Sequence, residues 1–426
     1  MCDSFWKKAF GWYFKSSLLV RILVGLVAGA VTGLAVGPAV AVIQPLGTVF
    51  IRMLQMVVVP LIVATLVVGA AGISPARLGR VGLKTVGFFM LTTACAVAIG
   101  LAAANALRPG AGLHLGDNVG HVAETTPPNL LNTFIEIVPT NPFHSVSQGH
   151  MLPIIFFSIL FGIGLSYLQA SEDDRVRNGA TVLFQVFSAT AEIMYLIVGW
   201  VLQYAPIGVF ALIAVVFGTQ GAAASGPLAM VTLAVYVGLA VQLVVVYGGL
   251  LALNQLSFLK FLAGAREAMI TAFVSRSSGG TLPVTMRNAE ENLGISRSVY
   301  GFALPLGATI NMNGTAIYQG VCVLFIAFAI GMPLPLASQL TIIITAVLAS
   351  IGTAGVPGSG TIMLLIVLES VGLPVRDGTP VALAYAMVLG IDALLDMGRT
   401  GLNVTGDLLA ATIVAKSEGE LDLARW

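Results

Sequence analysis

The sequence predicts an all-α integral membrane protein of eight transmembrane helices and two re-entrant helical hairpins, arranged as inverted repeats. Three observations carry this. Of 426 residues, 57% are hydrophobic and only 9% are charged, against about 25% charged in an ordinary soluble domain. Apolar runs of spanning length, about 20 residues, recur along the chain. Two further apolar segments are broken at their centres by glycine, serine, threonine and proline. Such backbone survives at membrane depth only where protein or a water-filled cavity satisfies it.

The unbroken segments lie at 17–43, 45–72, 86–107, 151–169, 181–218, 227–258, 299–331 and 381–415. Met1 to Lys15 is basic and aromatic and lacks a small-residue cleavage site, so it reads as a surface arm rather than a cleaved signal. Arg52 is expected to snorkel to the interface and Pro60 to kink its helix. Glu192, alone in an apolar run, is expected to make a helix-end or inter-helix hydrogen bond.

Cationic loops orient the chain. With six spans before residue 260, Lys7, Lys8 and Lys15, then Arg77, Arg80 and Lys84, then Arg175 and Arg177, then Lys260 and Arg266 all fall on one side. The other side holds Arg108 and the loop of His114, Asp117, His121 and Glu124. The N-terminus is therefore expected to be cytoplasmic. The first broken segment, 268–284, has Lys260 and Arg266 before it and Arg287 and Arg297 after it. Both flanks belong inside, so the segment enters and returns. The second, 337–370, does the same from outside, which leaves Lys416 and Arg425 cytoplasmic.

The broken centres are Ser275-Arg276-Ser277-Ser278-Gly279-Gly280-Thr281-Leu282-Pro283 and Ser350-Ile351-Gly352-Thr353-Ala354-Gly355-Val356-Pro357-Gly358-Ser359-Gly360. Each is followed by a helix with an Asn-containing polar core, expected as a kink: Asn311-Met312-Asn313-Gly314-Thr315 and Asn403-Val404-Thr405-Gly406-Asp407. Opposed repeats with discontinuous segments meeting at the midplane are a transport pattern.

The last helix carries Asp392, Asp396, Arg399, Thr400, Asn403 and Asp407. At about 100° per residue these fall within an arc of roughly 100°. A charge at membrane depth costs at least about 2.5–3.5 kcal/mol, so such a stripe needs partners. A salt-bridge cluster that only locks helices accounts for Asp392. It does not account for a full stripe facing two glycine-rich tips. Broken helix ends offer free N–H groups to carboxylates and free C=O groups to small cations.

Other chemistries are excluded. A net charge of +1 gives no case for nucleic acid. Cys2, Cys95 and Cys322 show no metal or redox spacing. The histidines all lie between residues 114 and 150, away from the stripe. Pro357 occupies a required glycine of a nucleophile elbow. The chain therefore reads as a transporter and not an enzyme.

At these residues the chain resembles the glutamate transporter homologues of the dicarboxylate/amino acid:cation symporter family, in particular the archaeal-type sodium-coupled aspartate transporters. The likeness runs along nearly the whole chain. It includes VVGAAGISPARLGRVG at 67–82, IVPTNPF at 137–143, YAPIGVFALIA at 204–214, SRSSGGTLPVTMR at 275–287, LPLGATINMNGTAIYQGV at 304–321, ASIGTAGVPGSG at 349–360 and GIDALLDMGRTGLNVTGD at 390–407.

The resemblance implies a homotrimer in the cell (inner) membrane. Residues 1–75 and 130–219 would form a fixed scaffold. Residues 76–129 and 220–426 would form a transport domain that moves as an elevator, gated by the outer hairpin. Arg399 would pair the side-chain carboxylate of an acidic amino acid, and Asp396 would hold its ammonium. Asn403, Thr400, Met312, Thr315, Ser277, Ser278 and the backbone near Val356 and Gly360 would complete the pocket, with Arg276 near Asp396. One sodium site would use Gly307, Asn311, Asn403 and Asp407. A second would use Thr309, Met312, Ser350, Ile351 and Thr353.

The chain departs from the family where Asn313 replaces an aspartate of a third sodium site, whose other positions match Phe89, Thr92 and Thr93. An amide can still ligate sodium, but without the charge. Weakened or absent binding is expected there. Proton-coupled uptake of acidic amino acids or dicarboxylates, and an anion-conducting channel, are the alternatives.

Overall fold

The computed structural model describes residues 16–71, 81–113, 115, 135, 137–351, 353 and 355–426. The expected surface arm, the cations Lys7, Lys8, Lys15, Arg77 and Arg80, the loop residues His114, Asp117, His121 and Glu124, and Gly352 and Ala354 lie outside them.

Helix α1 (Leu18–Val36) is capped by Ser17 and stops at Gly37, whose φ of 67° is left-handed. A 3₁₀ turn with Pro38 leads into α2 (Gln44–Ala71), which contains Pro60. Then come α3 (Leu83–Leu107), α4 (Pro142–Gln148), α5 (Met151–Gln169) and α6 (Asp174–Gln220), the last with Pro206 inside. Helix α7 (Ser225–Val241) continues through a π-helical turn, Gln242–Tyr247, into α8 (Gly248–Leu253). The remainder is α9 (Phe258–Ser275), α10 (Ser278–Arg287), α11 (Arg297–Ile310), α12 (Asn313–Ala329), α13 (Leu336–Ser350), α14 (Ser359–Ser370) and α15 (Pro380–Glu418).

Six helical stretches among the described residues are long and apolar enough to cross a bilayer, and two of them, Leu18–Ala71 and Asp174–Leu253, each hold two of the sequence-predicted segments. Helices α13 and α14 have 15 and 12 residues, about 22 and 18 Å at 1.5 Å per residue. Each is too short to span alone. They pack on each other, as α9 does on α10, so each broken segment is a pair of helices in contact, as a hairpin would be.

Helices α1 and α2 pack on α6, and α2 also on α5. The α1–α6 seam is a ladder of three glycines spaced four residues apart. A Cβ at Gly25, Gly29 or Gly33 would stand 2.5, 2.6 or 2.4 Å from the carbonyl oxygens of Pro206, Phe210 and Ala214. Small residues at this spacing let helix backbones touch, which drives association inside a membrane. Gly29→Val is expected to cost about 1–3 kcal/mol through overpacking. The readout is the thermal unfolding midpoint in detergent, and an unchanged midpoint would contradict the seam. On the other side of the molecule α12 packs against α3, α7 and α15, while α9 and α11 pack on α15.

Three expectations are corrected. Of the two expected Asn kinks only one forms: the chain leaves the helix at Asn311 (φ −91°, ψ 90°) and Met312 (φ −114°, ψ 47°). Asn403 to Asp407 stays within unbroken α15. Gly406 provides clearance there instead of a break, since a Cβ would lie 2.5 Å from the Tyr247 hydroxyl. Arg52 does not snorkel alone: its Nε donates to Asp377 Oδ2 at 2.6 Å. Glu192 is exposed and makes no hydrogen bond among the described residues.

Candidate functional site

Helix α15 starts at Pro380, where a missing N–H costs nothing, with Thr379 accepting from the Ala382 N–H. No later proline interrupts it, so the stripe stays on one face. All six stripe residues are buried, and Arg399 completely so. Most of the helix's other face is covered by protein too, with Leu394 left exposed.

Arg399 Nη1 lies 2.9 Å from Asp392 Oδ1 and Nη2 lies 2.8 Å from Asp396 Oδ1. The guanidinium sits over the Tyr318 ring, 4.0 Å from its centroid. The contact to Asp392 is an ion pair that lacks hydrogen-bond alignment, and Nε remains a donor without an acceptor among the described residues. Thr400 Oγ1 reaches Asp396 Oδ1 at 3.5 Å. At Gly360 a Cβ would come within 2.9 Å of Nη1, so only glycine leaves room for the guanidinium. One fixed cation and two carboxylates are thus buried together, with the Nε donor lacking an acceptor among the described residues.

The hairpin tips close over this group. Ser277 Oγ donates to the Gly355 carbonyl at 2.7 Å, and the Gly279 N–H donates to the same oxygen at 3.1 Å. The Gly358 N–H points to Asp396 Oδ2 at 3.4 Å. Ser278 and Gly360 are buried and Val356 is half-buried. Arg276 takes a left-handed φ of 55° at the end of α9. It lines a cavity of about 30 Å³ together with Asp392, one helical turn from Asp396, and with Pro357 and Gly358, against Leu54 of α2 and Leu202 of α6.

Asn403 fastens α15 to the unwound stretch. Its Oδ1 accepts from the Gly314 N–H at 2.7 Å, and its Nδ2 reaches Met312 Sδ at 3.3 Å and Thr315 Oγ1 at 3.4 Å. Asn311 Nδ2 donates to the Asn403 carbonyl at 3.2 Å and to Asp407 Oδ1 at 2.8 Å. The Asn311 Oδ1 atom is buried without a partner. A Cβ at Gly307 would collide with Asp407 Oδ1 at 2.4 Å. The structure therefore brings Gly307, Asn311, Asn403 and Asp407 together. The buried Asp407 carboxylate has one amide donor and no countercharge among the described residues. Oxygen donors around an uncompensated carboxylate suit a small hard cation.

The second expected set is gathered differently. Met312, Ser350 and Thr353 are buried. The Ser350 and Thr353 hydroxyls donate to carbonyls of their own turn, Val347 at 2.7 Å and Ala349 at 2.9 Å. Thr309 is exposed, and its hydroxyl donates to Leu306 at 2.9 Å. Ile351 packs with Leu306, Ile310, Phe89 and Ala410. The tip of the second hairpin thus meets the end of α11, and the hydroxyl oxygens there, each donating its proton to a carbonyl, keep lone pairs that can ligate a cation.

At the third set, Thr93 Oγ1 donates to Asn313 Oδ1 at 2.8 Å and Asn313 Nδ2 donates to the Tyr247 hydroxyl at 2.7 Å. The Thr92 hydroxyl turns back to the Phe88 carbonyl at 2.9 Å, and Phe89 is fully buried. Both ends of the Asn313 amide are therefore taken by neutral partners. Sequence reasoning missed Tyr247 and Tyr318. Tyr318 had a signal, three residues after Thr315 on the same helix face. Tyr247 had only its polarity within an apolar run.

Residues 18–417 match the sodium:dicarboxylate symporter family. The chain is 34% identical over 424 residues to the proton/sodium-glutamate symport protein of Geobacillus stearothermophilus, covering 97% of this chain and 96% of that one. It is 34% identical over 427 residues to the proton/glutamate-aspartate symporter of Escherichia coli K12, covering 98% and 94%. It is 32% identical over 417 residues to C4-dicarboxylate transport protein 2 of Polaromonas naphthalenivorans, covering 96% and 90%.

Proposed function

This chain belongs to the sodium:dicarboxylate symporter family, a multi-pass membrane transporter and not an enzyme, and from that premise we propose that it is a secondary active symporter importing acidic amino acids, L-aspartate and L-glutamate, with sodium. The Arg399 group carries this reading. A plain dicarboxylate needs cations alone, and Asp396 beside Arg399 would repel it. An α-amino dicarboxylate needs one fixed cation for its side chain and one fixed anion for its ammonium. Arg399 and Asp396 supply both, 2.8 Å apart, beneath two hairpin tips.

Sodium is assigned to the Asp407 group and to the oxygens at the second hairpin tip. The neutral chain Thr93–Asn313–Tyr247 takes the place of a third ion, so two sodium ions accompany each substrate. The same neutral group, with relatives named for proton as well as sodium coupling, motivates proton-driven uptake as the second reading.

An elevator movement of residues 76–129 and 220–426 against 1–75 and 130–219 is part of the proposal, with three copies joined through the scaffold and both ends in the cytoplasm. Two contacts support it. A Cβ at Gly69, near the inner end of α2, would stand 3.2 Å from the Ile351 carbonyl of the outer hairpin. The loop after that hairpin bonds down to the middle of α2, through Gln55 Nε2 to the Val375 carbonyl at 2.6 Å and Arg52 to Asp377. A hairpin that enters from outside yet touches the inner end of α2 fits a core displaced inward.

Uptake into proteoliposomes decides the coupling. A sodium gradient is expected to drive aspartate and glutamate accumulation at least about tenfold above a sodium-free control, with succinate a poor substrate. Accumulation driven equally by a proton gradient without sodium would establish the second reading instead.

A further inference from the structure

Beyond the end of α15, Gly419 (φ 75°) caps the helix and the chain turns back. Residues 420–426 then run along the connection between α10 and α11. The Ser296 N–H donates to the Glu420 carbonyl at 3.1 Å, and the Asp422 N–H donates to the Gly294 carbonyl at 2.9 Å. These bonds bracket an antiparallel pair, Ile295 and Leu421. The Ser296 and Ser298 hydroxyls donate to Glu420 Oε2 and hold its carboxyl below the usual carboxylate range. Arg425 Nη1 donates to the Glu290 carbonyl at 2.9 Å, and Trp426 Nε1 to the Leu293 carbonyl at 3.0 Å.

The segment also reaches the other leg of the hairpin. The Trp426 ring stacks on Phe261 of α9 with centroids 6.5 Å apart and planes 21° apart. Lys260 Nζ donates to the Trp426 carbonyl. One short segment thus holds α9, the end of α10 and the start of α11 together. The base of the second hairpin is held otherwise: among the described residues its loop at 371–379 bonds outward to Arg52 and Gln55 of α2.

We propose that residues 419–426 form a clasp that locks the base of the first hairpin to α15, so that this hairpin travels with the substrate helix as one body and does not open on its own. The inference rests on the transport reading for its consequence, not for its geometry. Without the clasp, among the described residues the α9–α10 hairpin is joined to α15 by packing within the membrane and, just before α9, by Lys416 Nζ donating to the Asn254 carbonyl. Its independent opening would expose the site and let substrate and ions leak uncoupled.

The clasp is tested on the full chain, on Arg425→Ala/Trp426→Ala, and on a chain ended after Glu418. Amide hydrogen exchange of residues 276–296 is expected to speed up at least about tenfold in both altered chains, with residues 355–370 unchanged. Substrate efflux from loaded liposomes should rise in parallel. Unchanged exchange at 276–296 overturns the clasp whether or not the protein transports sodium.

A second variant covers failure to fold. In a chain freed of its own three cysteines, Ile295→Cys/Leu421→Cys should form a disulfide. Such non-hydrogen-bonded antiparallel pairs have Cα atoms about 4.5 Å apart, within disulfide reach. The oxidised protein should transport at the rate of the reduced one. Arrest on oxidation would mean that the clasp opens in every cycle, which overturns the proposal.

Discussion

Replacing Arg399 with alanine is expected to lower the affinity for aspartate and glutamate by about two to four orders of magnitude, the cost of removing one partner from a buried ion pair, about 3–5 kcal/mol. The geometry makes the loss large. Nε has no acceptor in a buried site, and Nη1 and Nη2 are held by Asp392 and Asp396. Folding is affected too, because Asp392 and Asp396 would lose the guanidinium paired with both of them, leaving Arg276, in the cavity beside Asp392, as the other described cation near them. Arg399→Ala should therefore also lower the thermal midpoint, whereas Arg399→Lys keeps the charge but loses the planar fork and should lose affinity with less loss of stability. Calorimetric titration on folded protein checks both, and retained aspartate affinity in Arg399→Ala would refute the assigned role.

Asp407→Asn gives the second large effect, and its sign differs between two readouts. Asp407 is buried beside Asn311 Nδ2 with no cation nearby among the described residues. Burying a lone charge is costly, so the neutral amide should make the empty protein more stable. Sodium binding, in contrast, needs that charge, and should weaken by about 100-fold or more, the scale of breaking a buried pair. Thermal melts in sodium chloride and in choline chloride separate the two. Wild type should gain stability with sodium, while Asp407→Asn should start higher and gain little. A variant that keeps the full sodium response would remove Asp407 from the ion site.

The stripe from Asp392 to Asp407 was legible because helix geometry converts six offsets into one face. The hairpin tips were legible because glycine and proline at that density cannot continue a helix. Partners distant in sequence were not. Arg52 meets Asp377 from 325 residues away, and Tyr247 meets Asn313 from 66 away. A one-dimensional pattern carries no register between such helices. The straightness of α15 at Asn403 was also hidden, since Asn-x-x-Gly reads the same whether glycine serves a kink or a close approach. The Tyr247 contact sharpens the departure at Asn313, which is occupied by hydrogen bonds to neutral groups rather than merely weakened.

The most direct measurement is the sodium dependence of aspartate affinity in purified protein. By linkage, the slope of log Kd against log sodium concentration counts the ions bound with the substrate. The predicted magnitude is about two for the wild-type chain and about one for Asp407→Asn. A slope near zero would contradict sodium coupling, and a slope near three would contradict the neutral Thr93–Asn313–Tyr247 group as the replacement for a third ion.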